Sequence, residues 1–393
     1  MSNRSGAMKR SAGAAGRPLH LVYGLMLSCF SSNTSTRVVL SLYALDLGAQ
    51  PYAVGLLVAT LYVFPVALSW PVGVLSDRVG SRWLLLGGTA FGGSGILIPY
   101  FVHELSALYI AASMIGVAFS LYNVLLQNLV GLLSKPDERA QNFSTASLVG
   151  AAATFIGPLL AGLATDHFGN ANACLLVSTL SVTAASLLVV WGGALPGGSR
   201  HATPARSAGD TLADKSVLRL LVASGLVQVG QDLYQFYIPI YGHAIGLSGS
   251  AIGLVLAAFA LAAFAARFAM PRLVLRLGAE QVLTYSFYLA AIGFFLVPVF
   301  KGTIALAVVS FTFGLGMGCG LPITTMLVFS HSAEGRSGET LGLRQSVNNL
   351  MRVCGPALFG SIASAFGLFP VFWINALMMA AGGWIARPVA HRK

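Results

Sequence analysis

The chain has 393 residues, of which 56% are hydrophobic and only 9% charged. Soluble domains carry about 25% charged residues, so this composition excludes one and indicates a membrane protein. The formal net charge of +11 would point to nucleic acid on a soluble chain, but here the placement of the charges excludes that reading.

Apolar runs predict twelve spans, at roughly 18–46, 51–74, 83–102, 105–130, 142–165, 171–194, 216–242, 247–269, 280–300, 303–329, 341–364 and 369–387. Each reaches the roughly 20 residues that a bilayer core requires. With this division, Arg4, Lys9, Arg10, Arg17, Arg78, Arg82, Lys135, Arg139, Arg200, Arg206, Lys215, Arg219, Arg272, Arg276, Arg336, Arg387, Arg392 and Lys393 all fall at one face. Only Lys301 lies at the other. The positive-inside rule then places both termini and the long central loop in the cytoplasm. The basic balance is a signal of topology, and no nucleic-acid partner is expected.

The basic first 20 residues precede an apolar run, as in a signal peptide. That run continues to about Leu45 without a small-residue cleavage site, so it reads as a retained first helix. Span 1 carries the polar run Ser31-Ser32-Asn33-Thr34-Ser35-Thr36-Arg37, in which Asn33, Thr34, Arg37 and Ser41 share a helical face. Arg37 is about 13 Å from the outer end of the span, near mid-membrane.

Between spans 2 and 3 stands Gly73-Val74-Leu75-Ser76-Asp77-Arg78-Val79-Gly80-Ser81-Arg82. It resembles the Gly-x-x-x-Asp-Arg-x-Gly-x-Arg signature of the major facilitator superfamily, and the chain resembles that family from about Leu19 to Arg387. The resemblance implies an all-α polytopic membrane protein with twelve transmembrane helices. These would form two six-helix bundles related by a pseudo-two-fold axis, with the substrate site between them near the midplane. It also implies that Gly73, Asp77, Arg78, Gly80 and Arg82 form a cytoplasmic gating latch.

Span 4 puts Ser120, Asn123 and Gln127 on one face with Tyr122 beside them. Amides in lipid need partners, so they face protein or a cavity; interhelical glue and ligand contact both fit. The superfamily's drug/proton antiporters usually have an Arg four residues before the span 4 glycine, where this chain has Ala112. Span 5 contains Gly157-Pro158, resembling the end of the family's antiporter motif, but Ser144 and Ala153 replace two of its glycines.

An internal repeat runs through the chain at an offset of 198 residues. Gly48, Gly55, Arg78, Gly80, Gly157-Pro158, Gly162 and Phe168-Gly169 recur as Gly246, Gly253, Arg276, Gly278, Gly355-Pro356, Gly360 and Phe366-Gly367. Asp77 has no acidic counterpart, because Leu275 stands there. The repeat gives a cytoplasmic tail at 1–17, a first bundle at 18–194, a polar linker at 195–215, a second bundle at 216–387 and a tail at 388–393.

In span 7, Gln228, Gln231, Asp232 and Gln235 fall at i, i+3, i+4 and i+7. Asp232 is the only carboxylate deep within a span. Span 10 is a run of small residues, Gly314, Gly316, Gly318 and Gly320, suited to close helix contact. Span 11 presents Arg344, Gln345, Asn348, Asn349 and Arg352. Arg267 and Arg344 lie near cytoplasmic ends and are expected to snorkel to water; Arg352 is too deep for that.

Arg37, Asp232 and Arg352 therefore stand at mid-depth, where a charge costs about 2.5–3.5 kcal/mol on insertion scales. One internal salt bridge plus one arginine held by carbonyls would account for them structurally. Two guanidiniums against one carboxylate also leave an excess positive charge that an anion would match. The expected substrate-binding set is Asn33, Arg37, Tyr122, Asn123, Gln127, Gln228, Gln231, Gln235, Asn348 and Arg352, with Asp232 for proton coupling. The expected function is secondary transport of a small organic anion or polar metabolite by alternating access, coupled to protons. The alternative in the same family is a multidrug/proton antiporter; those of another class are a polytopic membrane enzyme and a non-transporting sensor.

The seven histidines are scattered over termini and loops, so no clustered catalytic set is visible. No phosphate-binding glycine loop appears, which argues against ATP-driven pumping. Cys29, Cys174, Cys319 and Cys354 lie inside spans without paired spacing, so neither disulfides nor a metal site is expected. No cofactor is expected; the partners are substrate, protons and lipid, for a monomer in a bacterial inner membrane. Reporters fused near Ala205 and after Lys393 should read cytoplasmic, and one near Gly302 periplasmic. A periplasmic signal at Ala205 would overturn the span division.

Overall fold

A computed structural model describes the backbone of residues 3–197 and 208–388. Most of the predicted linker and the C-terminal tail thus lie outside the described residues, as do the side chains of the N-terminal tail. The helices are α1 (Asn3–Asp46), α2 (Pro51–Val79), α3 (Ser81–Phe101), α4 (Leu105–Leu132), α5 (Arg139–Trp191), α6 (Ala208–Leu212) and α7 (Lys215–Ala244). They continue as α8 (Gly249–Leu277), α9 (Ala279–Leu296), α10 (Thr303–Gly318), α11 (Gly320–His331), α12 (Ser337–Phe366) and α13 (Leu368–Ile385).

All twelve predicted spans are helical. Spans 5 and 6 share α5, which bends where Gly169 adopts φ 78°. Span 10 divides into α10 and α11 at Cys319. Among the described residues, eight segments are long and apolar enough to cross a membrane on hydropathy alone, one of them the two-armed α5. The spans outside that set are α1, α7 and α12. These three carry the polar runs, which dilute their hydropathy without shortening the helix.

The repeat is written into the backbone. Gly48 and Gly246, Gly80 and Gly278, and Gly169 and Gly367 all have positive φ, at the same 198-residue spacing. Each turns the chain where a Cβ would be strained. The helices α2 and α8 begin and end at the same spacing.

The chain divides into two compact units. The first comprises Met1–Pro136, Val149–Ala205 and Ala333–Ser346; the second comprises Asp137–Leu148, Arg206–Ser332 and Val347–Lys393. Each includes the opening turns of a helix, α12 in the first and α5 in the second, whose remainder belongs to the other.

Small residues let the helices of the first unit approach closely, as association in lipid requires. In α3, Gly88, Gly92 and Gly95 meet Leu121, Ala118 and Met114 of α4. On α4, Gly116 lies against the Leu61 carbonyl of α2. Around these contacts Val39, Leu40, Leu57, Ile96, Leu108 and Ile115 are buried. In the second unit α10 does the same work. A Cβ on Gly314 would stand 2.5 Å from the Phe259 carbonyl of α8, and one on Gly318 would stand 2.7 Å from Ala263. The adjoining core stacks Tyr234 on Phe313 at 4.0 Å between ring centroids, with Phe294 edge-on at 4.7 Å from Phe313.

In the first unit α2 also lies tightly against the opening turns of α12. A Cβ on Gly73 would collide with the Gly338 carbonyl, and one on Gly342 with the Ser69 carbonyl. Backbone cannot yield as a side-chain tip does, so Gly73→Ala or Gly342→Val should cost about 1–3 kcal/mol, read as a lower melting temperature in detergent. Gly55→Ala, where nothing lies within 4 Å, should leave it nearly unchanged.

Candidate functional site

In the first unit the glycine-punctuated turn joins α2 to α3 through Gly80, at φ 86°. One turn earlier, the Asp77 carboxylate accepts two backbone N–H groups from the start of α12: Gly338 at 2.9 Å on Oδ1 and Glu339 at 2.9 Å on Oδ2. The opening N–H groups of a helix have no intrahelical acceptor, and the dipole favours an anion there. Asp77 thus caps α12 from another helix. Asn128 of α4 braces the contact, donating to Ser76 Oγ at 3.3 Å and accepting from Ser337 Oγ at 2.7 Å. Glu339 is buried and pairs with Arg336 at 2.6 Å. Of the two basic motif residues, Arg78 is exposed. Arg82 stacks its guanidinium on Trp83 at 5.2 Å and lies beside Gly192 at the end of α5. Asp77 and Gly73 therefore meet α12, whereas Arg82 serves the far end of α5.

The polar run of α1 divides between two tasks. Ser35 Oγ donates to the Gly157 carbonyl at 2.7 Å, Thr34 Oγ1 to the Ala153 carbonyl at 3.2 Å, and Ser32 meets Ser181 at 3.1 Å. Gly157 has Thr34 where a Cβ would go. These residues glue α1 to α5, and Gly157 is a packing residue. Ser41 bonds back to the Arg37 carbonyl of its own helix. Asn33 is buried. Arg37 is exposed and makes a long 3.4 Å bond to the Tyr62 hydroxyl.

On α4 the amides form a chain. Arg344 Nη2 donates to Gln127 Oε1 at 3.0 Å, Gln127 Nε2 to Asn123 Oδ1 at 3.5 Å, and Asn123 Nδ2 to the Phe119 carbonyl at 3.2 Å. Tyr122 is 2% exposed and gives its hydroxyl to the Gly88 carbonyl at 3.1 Å. In this state it holds α4 to α3. Arg344 is 2% exposed, which corrects the expectation that it snorkels. The amide of Gln127 takes the place that water would have had.

In the second unit, Asp232 Oδ2 accepts Arg352 Nε at 3.3 Å and Gln228 Nε2 at 2.8 Å. This joins three of the expected residues, from α7 and α12. Gln231 is buried and donates to the Met317 carbonyl at 2.8 Å, bracing the α10 end where that helix breaks. Asn348 accepts from Ser224 at 3.0 Å, and Gln235 is exposed. Arg267 is held inward by its 3.1 Å bond to the Gly318 carbonyl.

The residues that sequence reasoning passed over are Asn128, Ser337 and Glu339. All are buried polar residues near a charged turn, and their only sequence signal was polarity beside an apolar run. The repeat carries a further hint. Ser69 and Gly342, which touch in the first unit, correspond to Arg267 and Ser144, and Ser144 Oγ donates to the Arg267 carbonyl in the second.

The sequence model of the Major Facilitator Superfamily matches residues 21–248 and 220–393. The chain belongs to the Major Facilitator Superfamily. It is accordingly a multi-pass membrane transporter rather than an enzyme. Among curated relatives, a multidrug resistance protein MdtG of Salmonella paratyphi A is 23% identical over 374 residues, covering 89% of this chain and 90% of its own. Among solved structures, the human organic anion transporter MFSD10 superposes with a TM-score of 0.75 at 14% identity, covering 95% of this chain and 99% of its own. The superfamily transporter FucP, in its outward conformation, gives 0.77 at 15% identity, covering 95% and 98%. At such identities the structural likeness speaks to fold alone.

Replacing Asp77 by Asn leaves one acceptor for two N–H groups and turns an NH2 toward the other. Asp77→Asn should therefore speed hydrogen exchange of the 336–342 backbone by about tenfold, the equivalent of about 1.4 kcal/mol, within the range for a lost charged partner. Unchanged exchange would show that the cap is dispensable.

Proposed function

We propose that this superfamily member is a secondary active transporter that moves a small organic anion, or a polar metabolite with an anionic group, by alternating access coupled to protons. One observation carries the reading. The single deep carboxylate, Asp232, is already engaged by Arg352 and Gln228, while Arg37 faces outward from α1 with a tyrosine hydroxyl beside it and no ion-pair partner among the described residues. A guanidinium at mid-depth needs a counter-charge, and its planar fork suits a carboxylate or phosphate. The proposed substrate set keeps Asn33, Arg37, Gln228, Gln235, Asn348 and Arg352. Tyr122, Asn123, Gln127 and Gln231 line it only if the helix contacts they now make are released in another state.

Coupling follows from the Asp232–Arg352 pair. An anion that draws Arg352 away leaves Asp232 without its counter-ion, so proton uptake and substrate occupancy are linked. Such linkage is reciprocal, each ligand changing the other's affinity by the same factor. The setting proposed is a monomer in a bacterial inner membrane with both termini cytoplasmic, the bundles at 18–194 and 216–387 moving as the alternating bodies. The Asp77 cap on α12 is the proposed latch of that movement.

A multidrug/proton antiporter is the second reading, favoured by the 23% identity to MdtG over most of both chains. The two readings part on ligand charge. A thermal-shift screen of the purified protein against carboxylates, phosphates, sugars and cationic drugs separates them, since a ligand at 100 times its Kd stabilises by about 2.7 kcal/mol. Arg37→Ala should abolish the shift given by the anion and Arg37→Lys restore only part of it, because a point charge cannot copy the fork. Asp232→Asn should lose accumulation driven by a pH gradient yet retain substrate exchange in the same vesicles. Shifts with cationic drugs alone, unaffected by Arg37→Ala, would sink the anion reading in favour of the drug exporter.

A further inference from the structure

At the end of the second unit that holds Lys215, α13 is drawn tightly onto α9. A Cβ on Gly382 would stand 2.6 Å from the Phe287 ring, and one on Gly383 would stand 2.9 Å from the Tyr288 ring. This contact delivers Arg387, just beyond α13, onto the face of Tyr288. Its guanidinium lies 5.7 Å from the ring centroid, and Nε donates to the Tyr288 hydroxyl at 3.0 Å. The backbone is pinned as well, because Arg219 Nη1 of α7 donates to the Arg387 carbonyl at 3.0 Å. Arg219 is itself neutralised by Glu280 at 2.8 Å. Arg387 is exposed, and among the described residues its two terminal nitrogens have no acceptor.

The result is a fixed cation with two donors facing out. Beside it, Trp384 of α13 and Tyr285 of α9 are more than half exposed. Leu377 of α13 and Ile292 of α9 continue both faces as exposed apolar surface. Exposed aromatic rings beneath a basic residue mark the level of lipid headgroups, and the aliphatic strip below would lie along acyl chain. The two arginines and Glu280 leave one positive charge unmatched.

We propose that the groove between α9 and α13 at Arg387 binds the phosphate of an anionic phospholipid of the cytoplasmic leaflet. The two free guanidinium nitrogens would take a phosphate oxygen each. Trp384 and Tyr285 would flank the glycerol region, and Leu377 and Ile292 the acyl chains. A zwitterionic lipid has the same phosphate, but its ammonium would face a site already positive, so the groove discriminates in favour of net-negative lipid. The proposal is independent of the substrate reading and rests only on the Arg387 end being cytoplasmic.

Trp384 supplies the reporter. With Trp70, Trp83, Trp191 and Trp373 changed to Phe, the protein is placed in phosphatidylcholine vesicles. These contain the same fraction of either brominated phosphatidylglycerol or brominated phosphatidylcholine. Quenching should favour the glycerol lipid by about fivefold in local enrichment, the worth of one arginine near an anionic leaflet. Arg387→Ala should bring the two lipids to equality, and Arg387→Lys should keep part of the preference. Native mass spectrometry of the chain with all its tryptophans should retain phosphatidylglycerol over phosphatidylcholine, which keeps the test decisive if the tryptophan variant folds poorly. Equal quenching and equal retention, or a preference that survives Arg387→Ala, would overturn the proposal and leave Arg387 an interfacial anchor. Displacement of the brominated lipid by inorganic phosphate would make the ligand a soluble anion and overturn it too.

Discussion

The contact on which most else depends is the carboxylate of Asp77 set against the first N–H groups of α12. The first N–H groups of a helix have no acceptor within the helix itself. Asp77 meets two of them at once. It can do so only because Gly73, Gly338 and Gly342 remove the side chains that would hold the two backbones apart. Cap and glycines are thus one device. The carboxylate supplies the attraction, and the missing Cβ atoms supply the reach.

The repeat makes the counterpart in the second unit informative. Leu275 stands where Asp77 would be and is exposed, and Ser144 replaces Gly342. There the crossing of α8 and the start of α5 rests on a serine hydroxyl donated to the Arg267 carbonyl, while Arg139 ties the start of α5 to α11, donating to Ser330 at 3.2 Å and stacking on Phe329 at 5.0 Å. A single neutral hydroxyl bond contributes less than a part-buried carboxylate bonded to two backbone donors. The two crossings share geometry and differ in strength.

Several of the polar residues inside the spans have a backbone carbonyl within reach. Ser35, Thr34, Gln231 and Tyr122 have found one and act as fasteners. Arg37 has not, and the Asp232–Arg352 pair stays about a quarter to a third exposed. Fasteners lower the cost of burying polarity in lipid. Residues left accessible, Arg37 among them, do not gain that relief.

Hydropathy and the 198-residue repeat were enough to determine twelve spans and two like halves, because bilayer thickness and backbone satisfaction admit few alternatives; that the chain is a transporter came from the resemblance of the Gly73–Arg82 turn to the superfamily signature. The sequence likewise marked Arg37, Asp232 and Arg352, since mid-depth charges stand out against apolar neighbours. It could not determine partners, which depend on how neighbouring helices rotate. Arg344 looked free to snorkel and is buried against Gln127. Tyr122 looked like a ligand contact and is fastened to α3. The repeat set Asp232 opposite Arg37 on sequence grounds, and the packing of α12 on α7 pairs it with Arg352. Spans are set by a one-dimensional balance of transfer energies along the chain. Partners are set by angles of a few tens of degrees about each helix axis, which that balance does not contain.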